Sequence, residues 1–562
     1  MFLKHLKIYQ HGICAFFIIL TAIILRIILI EQGWPPTNSD EGTLGLMALH
    51  IAYRSEYPIF FYGQGYMGPF EAYLAAILFH ILGPSLFVLR LGLILIFCLF
   101  LVSIYLLISL LYTKKLALLT LFLLALGSPE IFSIQLRAIG GYPETLLFGT
   151  LQLLIASWLA FSCRRDLPTH KRWRHLVLYA CWGFLVGFSI WTDLLVLPFV
   201  LTSALVLLVF CWPEWRTWAP LTVIASFVLG VLPLIIYNLT VPYQESTLYD
   251  FLHVYRSDAT ATIDVKHIPL VQKIVGTLLV GVPNATGANP ICPDQNLLLF
   301  GLFNRSTLNC TLFQGSWSIG CLLLLILAVF LNIRAIWKQR HAASCSLTPA
   351  ESRQATIRYF ARLMLLASAC LTILLFALSP VSALNPWTNT RYLFCLLVAT
   401  PAIIAPLWEH VSEVSISSSW KDKLLAVAKG TVLIYIAFVL GMGYVNTIKA
   451  IPATQQFNRQ QDALIADLMR MGATHIYSEY WTCDRVIFLS DERIICGVVT
   501  NLIEPGYNRY QPYYTMVAKD PHAFYVFPLG SSPAFHFAGM VAFKHLHFRR
   551  FIFDGYIVFQ PT

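Results

Sequence analysis

The feature that most constrains this chain is a series of apolar runs, each near the length that crosses a bilayer. A spanning helix needs roughly 20 apolar residues, and eleven segments approach this: 12–31, 86–111, 116–134, 144–163, 176–190, 193–212, 219–238, 316–334, 362–380, 391–408 and 424–446. Only 12% of the 562 residues are charged, whereas soluble domains have roughly 25%. The sequence therefore predicts a polytopic α-helical membrane protein with about eleven transmembrane helices.

Short basic clusters between the apolar runs predict an orientation. Lys4 and Lys7 precede the first run, Lys114 and Lys115 follow the second, and more basic residues follow position 163. Cytoplasmic loops collect Lys and Arg, so the N-terminus is predicted to be cytoplasmic and the C-terminus external. The first run has no small-residue cleavage site, which favours a helix retained in the cell membrane. Because the net charge of +10 arises from these clusters, nucleic acid is not an expected partner.

The topology divides the chain into a transmembrane domain, 1–446, and an external domain, 447–562. The first includes two large outer loops, 32–85 and 239–315. In the external domain the apolar runs give way to a helical pattern that stops at Gly472, then to short strand patterns and a closing hairpin in "FRRFIFDGYIVFQ". This pattern predicts a small α/β domain.

Four cysteines fall in the predicted outer regions: Cys292, Cys310, Cys483 and Cys496. Outer compartments are oxidising, so thiols there tend to pair. We predict two disulfides, Cys292–Cys310 and Cys483–Cys496. The cysteines in or near the spans are expected to be small apolar packing residues.

Two adjacent carboxylates, Asp40 and Glu41, follow the first span in "WPPTNSDEGTLGLMALHI". The residues after them read as a short helix that could lie flat on the outer surface, and Ser39 or Asp40 suits its N-cap. Alternatively, one carboxylate is a general base facing the membrane surface, where the polar head of a lipid substrate would lie. The residue pattern alone leaves both interpretations open.

Further charged residues stand at the predicted outer ends of spans, and we take them with Tyr142 as candidate substrate-binding residues: Glu71, Arg137, Glu144, Asp193 and Arg391. Singly, each could be an interfacial side chain that reaches water. Ionisable groups at mid-span cost about 2.5–3.5 kcal/mol and are usually retained for a use, and all of these map to one side. Carboxylates can activate an acceptor, and guanidinium groups bind phosphate bidentately. No His/Cys spacing resembles a metal site.

Several segments together resemble the GT-C superfamily of membrane glycosyltransferases. They are the outer-loop sequences "NSDEGTLGLMALHI" and "YGQGYMGPFEAYLAAILFHILG", the late-span "NTRYLF", and the tail from "LIADLMRMGATHIYSEYW" to "NRYQPYYTMV". The resemblance is to the branch of protein mannosyltransferases, aminoarabinose transferases and RgtA-like bacterial proteins. It covers nearly the whole architecture, from the first helix to the C-terminal domain.

This resemblance implies transfer of a hexosyl or pentosyl unit from a polyprenyl-phosphate donor to a lipid, glycan or protein acceptor at the outer face, among membrane lipids. The acidic base of the family falls on Asp40, with Glu41 beside it, and Arg137 or Arg391 would balance the leaving phosphate. Glu71 is a departure, because aminoarabinose transferases have Glu-Lys-Pro near this point and this chain reads Met-Gly-Pro before its acid. No cofactor is required, and a divalent metal is an option that the sequence does not favour.

Two other classes of protein remain as alternatives. A multi-span transporter of a polar or lipid-linked substrate would suit the number of spans and the charges within them, although the chain lacks the two related halves common in transporters. A scaffold protein could use the aromatic segments of the tail, such as Tyr480-Trp481, to bind partners or sugars, although Tyr and Trp also gather at membrane interfaces.

Overall fold

The computed structural model describes residues 2–163, 169–249, 268–288, 292, 305–342, 349–413 and 419–562. Within these ranges, nine helices are long and apolar enough to cross a membrane, or ten if one bent pair is a single span. All eleven predicted segments fall on helices. The two that do not qualify singly are 116–134, which is broken, and 193–212, which is short. Much of the predicted outer loop 239–315 lies outside the described residues.

The first half of the chain is almost entirely helical. Its α-helices are α1 (Phe2–Glu31), α2 (Ser39–Tyr53), α3 (Phe70–Leu82), α4 (Leu86–Leu111), α5 (Lys114–Ala125), α6 (Pro129–Leu136), α7 (Tyr142–Ser162), α8 (Thr169–Thr192), α9 (Leu197–Phe210) and α10 (Ala219–Thr240). Short 3₁₀ helices occupy Leu194–Val196, Glu214–Arg216 and Tyr243–Glu245.

The second half contains more spans and then the C-terminal domain. Its α-helices are α11 (Leu270–Gly276), α12 (Val282–Thr286), α13 (Arg305–Ala342), α14 (Pro349–Leu378), α15 (Val381–Leu384), α16 (Pro386–Asn389), α17 (Thr400–Glu413), α18 (Trp420–Arg470), α19 (Tyr480–Leu489), α20 (Gln511–Ala518) and α21 (Ser532–Phe543). A π-helical turn occupies Thr277–Gly281, and a 3₁₀ helix of ten residues occupies Thr390–Ala399.

The segment predicted as the third span is instead an elbow, in which α5 and α6 meet at 89°. Ser128 is the N-cap of α6, because its hydroxyl accepts the Ile131 N–H at 3.3 Å. A serine in this role favours the start of a new helix rather than the continuation of α5. Arg26 of α1 is fully buried here and donates to the Ala125 carbonyl at the end of α5 and to Gln135 of α6, at 3.2 and 2.9 Å. A bend at membrane depth requires such partners for the freed carbonyls.

Helix α18 joins the membrane domain to the C-terminal domain. Its 51 residues correspond to about 75 Å at 1.5 Å per residue, far beyond the roughly 30 Å of a bilayer core. It ends at Arg470, and Gly472 follows with φ +75°, as the predicted helix stop requires. The predicted boundary between residues 446 and 447 therefore falls inside a continuous helix. It stays a prediction that rests on the change in composition of the sequence.

The C-terminal domain contains a five-stranded mixed sheet in the order β2-β1-β3-β5-β4. Its strands are β1 (His475–Ser478), β2 (Ile495–Val498), β3 (Phe524–Pro528), β4 (Phe548–Phe553) and β5 (Tyr556–Pro561). β1 runs parallel to β2 and β3, whereas β5 is antiparallel to β3 and β4. The β4–β5 hairpin turns at Asp554-Gly555, where both residues have positive φ, as such tight turns need. The predicted small α/β domain is confirmed.

The structure joins each predicted cysteine pair. Cys292 and Cys310 have their Cα atoms 5.4 Å apart, and Cys483 and Cys496 have theirs 5.2 Å apart. Both separations are within the ordinary range for a disulfide. The second pair links α19 to β2 inside the C-terminal domain.

Helix α2 is buried by the rest of the protein, and its expected position flat on the outer surface stays a prediction. Twelve of its fifteen residues are buried, because the C-terminal domain covers it. Gly42 and Gly45 allow the close approach, since a Cβ there would stand 2.6 Å from the Asp484 backbone and 2.6 Å from the Phe488 ring. Buried side chains form one continuous core from the spans through α2 into the sheet. The C-terminal domain is therefore packed directly against the segment 32–85, the predicted first outer loop.

Candidate active site

The N-terminus of α2 positions both adjacent carboxylates. The cap is Asn38, whose Oδ1 accepts the Glu41 N–H at 3.0 Å, so the expectation that Ser39 or Asp40 caps the helix is wrong. The Ser39 hydroxyl instead donates to the carbonyl of Tyr480 in the C-terminal domain. Because a neighbouring residue caps the helix, the side chains of Asp40 and Glu41 are free for other contacts.

Glu41 points into the protein and forms an ion pair with Arg90 of α4. The Arg90 Nε and Nη2 donate to its two oxygens at 2.8 and 2.7 Å, and both side chains are fully buried. The Ala138 N–H, 3.3 Å away, donates to the same carboxylate. A carboxylate with donors on both oxygens and no exposure is suited to holding structure together, so this geometry favours Asp40 over Glu41 as a base.

Asp40 has a different environment. Its Oδ1 accepts two hydrogen bonds, from the Tyr480 hydroxyl at 2.5 Å and from the Arg509 Nη2 at 2.7 Å. Among the described residues, no hydrogen bond to its side chain falls on Oδ2, and 12% of the side chain is exposed. One oxygen is thus held by the protein, and the other is left for an incoming proton.

The two donors to Asp40 both come from the C-terminal domain, and they also contact each other. The Arg509 Nε donates to the Tyr480 hydroxyl at 2.5 Å. Burial and the Asp40 carboxylate raise the pKa of Tyr480 well above its ordinary value, so its hydroxyl keeps its proton and remains a donor. Sequence reasoning missed Arg509. Its only signal was its position within the aromatic segment "NRYQPYY".

A second buried acid lies behind Asp40 in the C-terminal domain. Asp484 of α19 accepts the Thr43 hydroxyl at 2.7 Å, which ties α19 to α2. Burial raises the pKa of Asp484 to about 6, and the nearby Asp40 charge acts in the same direction. The Thr43 hydrogen bond and the Arg509 charge oppose this shift.

Three more of the predicted residues lie within electrostatic reach of Asp40, namely Arg137, Tyr142 and Arg391, and Asp193 lies within reach of Arg391. Arg137 follows the last residue of α6, and Arg391 lies in the 3₁₀ helix that begins at Thr390. Both guanidinium groups interact electrostatically with Asp40. In each, Nε is buried and has no hydrogen-bond partner among the described residues. Arg391 also lies 5.6 Å from the ring centre of Tyr142 and interacts with Asp193.

Glu71 and Glu144 form a separate buried pair. Glu71 accepts the Gly140 N–H at 3.2 Å, whereas its other oxygen and both oxygens of Glu144 are buried with no hydrogen-bond partner among the described residues. The loop before Glu71 is fixed by the Gly68 N–H, which donates to the Trp191 carbonyl at 3.0 Å. Across the described residues, no group of three His, Cys, Asp or Glu side chains is arranged to hold a metal.

An apolar cavity of about 200 Å³ lies among the membrane helices. Its walls come from the α5–α6 elbow, α13, the 3₁₀ helix with α17, and α18, and they include Ile131, Trp317, Leu397, Ile403 and Leu440. Two of these elements carry the candidate arginines. Gln135 on the wall stands two residues before Arg137, and Leu397 belongs to the 3₁₀ helix that contains Arg391.

The succession of spans, the buried first outer loop and the C-terminal sheet domain define a polytopic membrane protein with the GT-C fold, as predicted. The chain is similar to the structure of ArnT from Cupriavidus metallidurans bound to undecaprenyl phosphate, with a TM-score of 0.56, 13% identity and 97% of each chain covered. It is also similar to the oligosaccharyltransferase from Archaeoglobus fulgidus in its apo form, with a TM-score of 0.49, 13% identity, and 92% of this chain and 70% of that one covered.

At such identities the likeness is one of fold. No protein-family model matches the sequence, and no curated protein sequence is significantly similar to it.

Proposed function

We propose that this protein is a glycosyltransferase that moves a hexosyl or pentosyl unit from a polyprenyl-phosphate carrier to an acceptor at the outer face of the cell membrane. The observation that carries the proposal is the environment of Asp40. A carboxylate with one unoccupied oxygen lies within electrostatic reach of two guanidinium groups that each keep a free Nε. A base beside phosphate-binding groups is the pair of functions that this transfer requires.

The reaction proceeds as a single displacement with inversion. Asp40 Oδ2 takes the proton of the acceptor hydroxyl or amide as the acceptor atom bonds to the anomeric carbon. The bond between that carbon and the phosphate oxygen breaks, and polyprenyl phosphate leaves with one more negative charge. Arg391 and Arg137 balance this charge where it develops. The ring centre of Tyr142 lies 5.6 Å from the Arg391 guanidinium, and Asp193 attracts this guanidinium electrostatically.

We propose that part of the donor's lipid chain lies in the apolar cavity. One similar structure, ArnT, is described as bound to undecaprenyl phosphate, whose isoprenoid chain needs an apolar surface at membrane depth. The cavity provides this surface, and the arginines at the ends of its wall elements would meet the phosphate. The acceptor, whether lipid, glycan or protein, would approach Asp40 from the outer side. No cofactor takes part in this scheme.

The proposal also fixes the orientation of the protein. Asp40 and the C-terminal domain lie together, so the domain belongs on the side where transfer occurs. We place it outside, with the N-terminus in the cytoplasm and residues 1–446 forming the membrane domain. The alternative of a transporter gives no role to a soluble domain that contacts Asp40 directly.

A purified-protein screen tests this function. The protein in detergent is incubated with radiolabelled polyprenyl-phosphate sugars and membrane extract, and labelled product is separated from unused donor. We expect at least one donor to be consumed with the label appearing in an acceptor, and no product with the Asp40→Asn variant. Equal product from both proteins would contradict the assignment of Asp40 as the base. No consumption of any donor would contradict the proposed reaction.

A further inference from the structure

We infer that Arg509 is a positioning residue for the base, so that the C-terminal domain completes the active site. The inference rests on the proposed function of Asp40. Its starting point is that both hydrogen bonds to Asp40, from Arg509 and Tyr480, fall on Oδ1. Because two hydrogen bonds hold Oδ1, the carboxylate group cannot rotate. Oδ2 therefore stays oriented toward the position where the acceptor would bind.

Arg509 is itself held in place by several contacts. Its Nη1 donates to the Tyr62 carbonyl at 3.2 Å, and its guanidinium stacks 4.4 Å from the ring centre of Phe61. Only 7% of its side chain is exposed. An exposed ion pair would contribute little, whereas a buried pair with fixed geometry places charge at a defined position.

The chain around Arg509 is fixed on both sides. Asn508 holds β2, because its Oδ1 accepts the Val498 N–H at 2.7 Å and its Nδ2 donates to the Val498 carbonyl at 3.1 Å. On the other side, the Tyr507 hydroxyl donates to the Gly63 carbonyl in the first outer loop. The segment 507–509 thus bridges the sheet and the loop that carries the base.

Arg509 is not needed to attach the C-terminal domain. Helices α2 and α19 already pack closely at Gly42 and Gly45, and Thr43 bonds to Asp484. At the other end of α2, the buried His50 ring bonds to the Tyr513 hydroxyl at 2.8 Å. These contacts hold the domain in place without Arg509. The role of Arg509 is therefore best explained by its ion pair with the Asp40 carboxylate.

In the reaction, Arg509 and Tyr480 hold Oδ1 before and after proton transfer. The proton moves from the acceptor to Oδ2, the acceptor atom bonds to the anomeric carbon, and polyprenyl phosphate departs. Arg509 keeps the carboxylate aimed while the acceptor binds. It contacts neither donor nor acceptor, so it acts through Asp40.

The test compares Arg509→Ala with Arg493→Ala, an arginine of the same domain whose side chain is 63% exposed. We expect Arg509→Ala to lower kcat by about 10- to 100-fold, the usual effect of losing a hydrogen bond to a charged group. The KM for the donor should stay near that of the unmutated protein, and the rates are compared at equal amounts of folded protein because Arg509→Ala leaves Asp40 without its counter-charge and should lower the Tm. Millimolar guanidinium, which can replace the missing group, should restore part of the rate in Arg509→Ala, and it should not restore Asp40→Asn. Arg493→Ala should match the unmutated protein.

An unchanged kcat in Arg509→Ala would overturn the inference. A loss of rate per folded molecule that guanidinium does not restore would also overturn it, since this would show only a structural role. The two proposals fail separately. If Asp40→Asn keeps full activity, the base is wrong, whereas if Asp40→Asn is inactive and Arg509→Ala is unaffected, only the role of Arg509 is wrong.

Discussion

Glu41 and Arg90 form a fully buried bidentate ion pair, with Arg90 Nε and Nη2 at 2.8 and 2.7 Å from the two carboxylate oxygens. Arg90 also donates to the Pro35 carbonyl at 2.8 Å, so the pair ties α4 to the chain just before α2. The adjacent Asp40 keeps one oxygen without a partner in the described part of the protein. Two neighbouring acids therefore have different roles, one structural and one proposed to be chemical.

The first prediction concerns Glu41. The Glu41→Gln variant leaves Arg90 buried without its counter-charge, which typically costs about 3–5 kcal/mol of stability. We expect a clearly lowered Tm in detergent, with the activity per folded molecule changed only a few-fold. The control is Asp467→Asn, which removes an exposed pair with Arg470 and should cost at most about 1 kcal/mol. An unchanged Tm with lost activity would assign Glu41 to the chemistry instead.

A second prediction separates donor binding from acceptor binding at Arg391. Because Arg391 is proposed to meet the donor phosphate, Arg391→Ala should raise the KM for the donor by about 10-fold or more, the value of one charge-assisted contact. The KM for the acceptor should change much less. Steady-state kinetics with each substrate varied in turn measures both. An equal rise in the KM for donor and acceptor would indicate a folding defect and would count against a role of Arg391 in binding phosphate.

The third prediction tests the apolar cavity. Gly320 lies on its wall, and a side chain added there meets no atom within 4 Å. Gly320→Phe should therefore fill space that the isoprenoid chain needs and raise the KM for a long-chain donor about 10-fold, since each displaced methylene costs about 0.8 kcal/mol. A short-chain donor should be little affected.

The matched control for the cavity is Gly430→Phe. Gly430 also has open space around it, but it does not line the cavity. Its variant should handle both donors as the unmutated protein does. If Gly320→Phe affects long and short donors equally, or affects neither, the isoprenoid chain lies elsewhere.

The fourth prediction is a pH dependence of stability caused by Asp484. Burial raises its pKa from the ordinary 3.8 to about 6, so the folded state holds this proton more tightly than the unfolded state does. The resulting stability is fully present below pH 3.8 and is lost as the pH rises through about 6. The difference amounts to at most about 3 kcal/mol.

Asp484→Asn should remove this contribution, because an amide can accept the Thr43 hydrogen bond without a charge. The fall in Tm between about pH 4 and pH 7 should then be smaller in Asp484→Asn than in the unmutated protein. Asp491→Asn, at a side chain that is 64% exposed in the same domain, is the control and should retain the original slope. Identical slopes in all three proteins would contradict the buried, charged state of Asp484.

Much of the fold could be predicted from sequence because its signals are local. Bilayer-length apolar runs identified the spans, and Gly472 and the Asp-Gly turn of the last hairpin marked where elements end. The elbow at Ser128 was missed, since an apolar run of the right length resembles one span. Its signal was present in Arg26 and in the Ser-Pro pair, because a charge inside a span needs partners.

The candidate site was harder to predict because its contacts connect distant parts of the chain. Arg509 stands 469 residues from Asp40, in a soluble domain where an arginine is ordinarily a surface residue. Only the packing of α2 under the C-terminal domain brings them together. Arg90 was a different case: it interrupts an apolar span, and the cost of burying it should have suggested a nearby carboxylate such as Glu41.

The most direct test of the account is the rate of sugar transfer by Asp40→Asn. Asparagine keeps the size of the side chain and its contacts with Tyr480 and Arg509 but cannot take a proton from the acceptor. With equal amounts of folded protein and saturating donor, we predict a rate about 10²- to 10⁴-fold below that of the unmutated protein, the usual contribution of a general base. A rate within a few-fold of the unmutated protein would contradict the account.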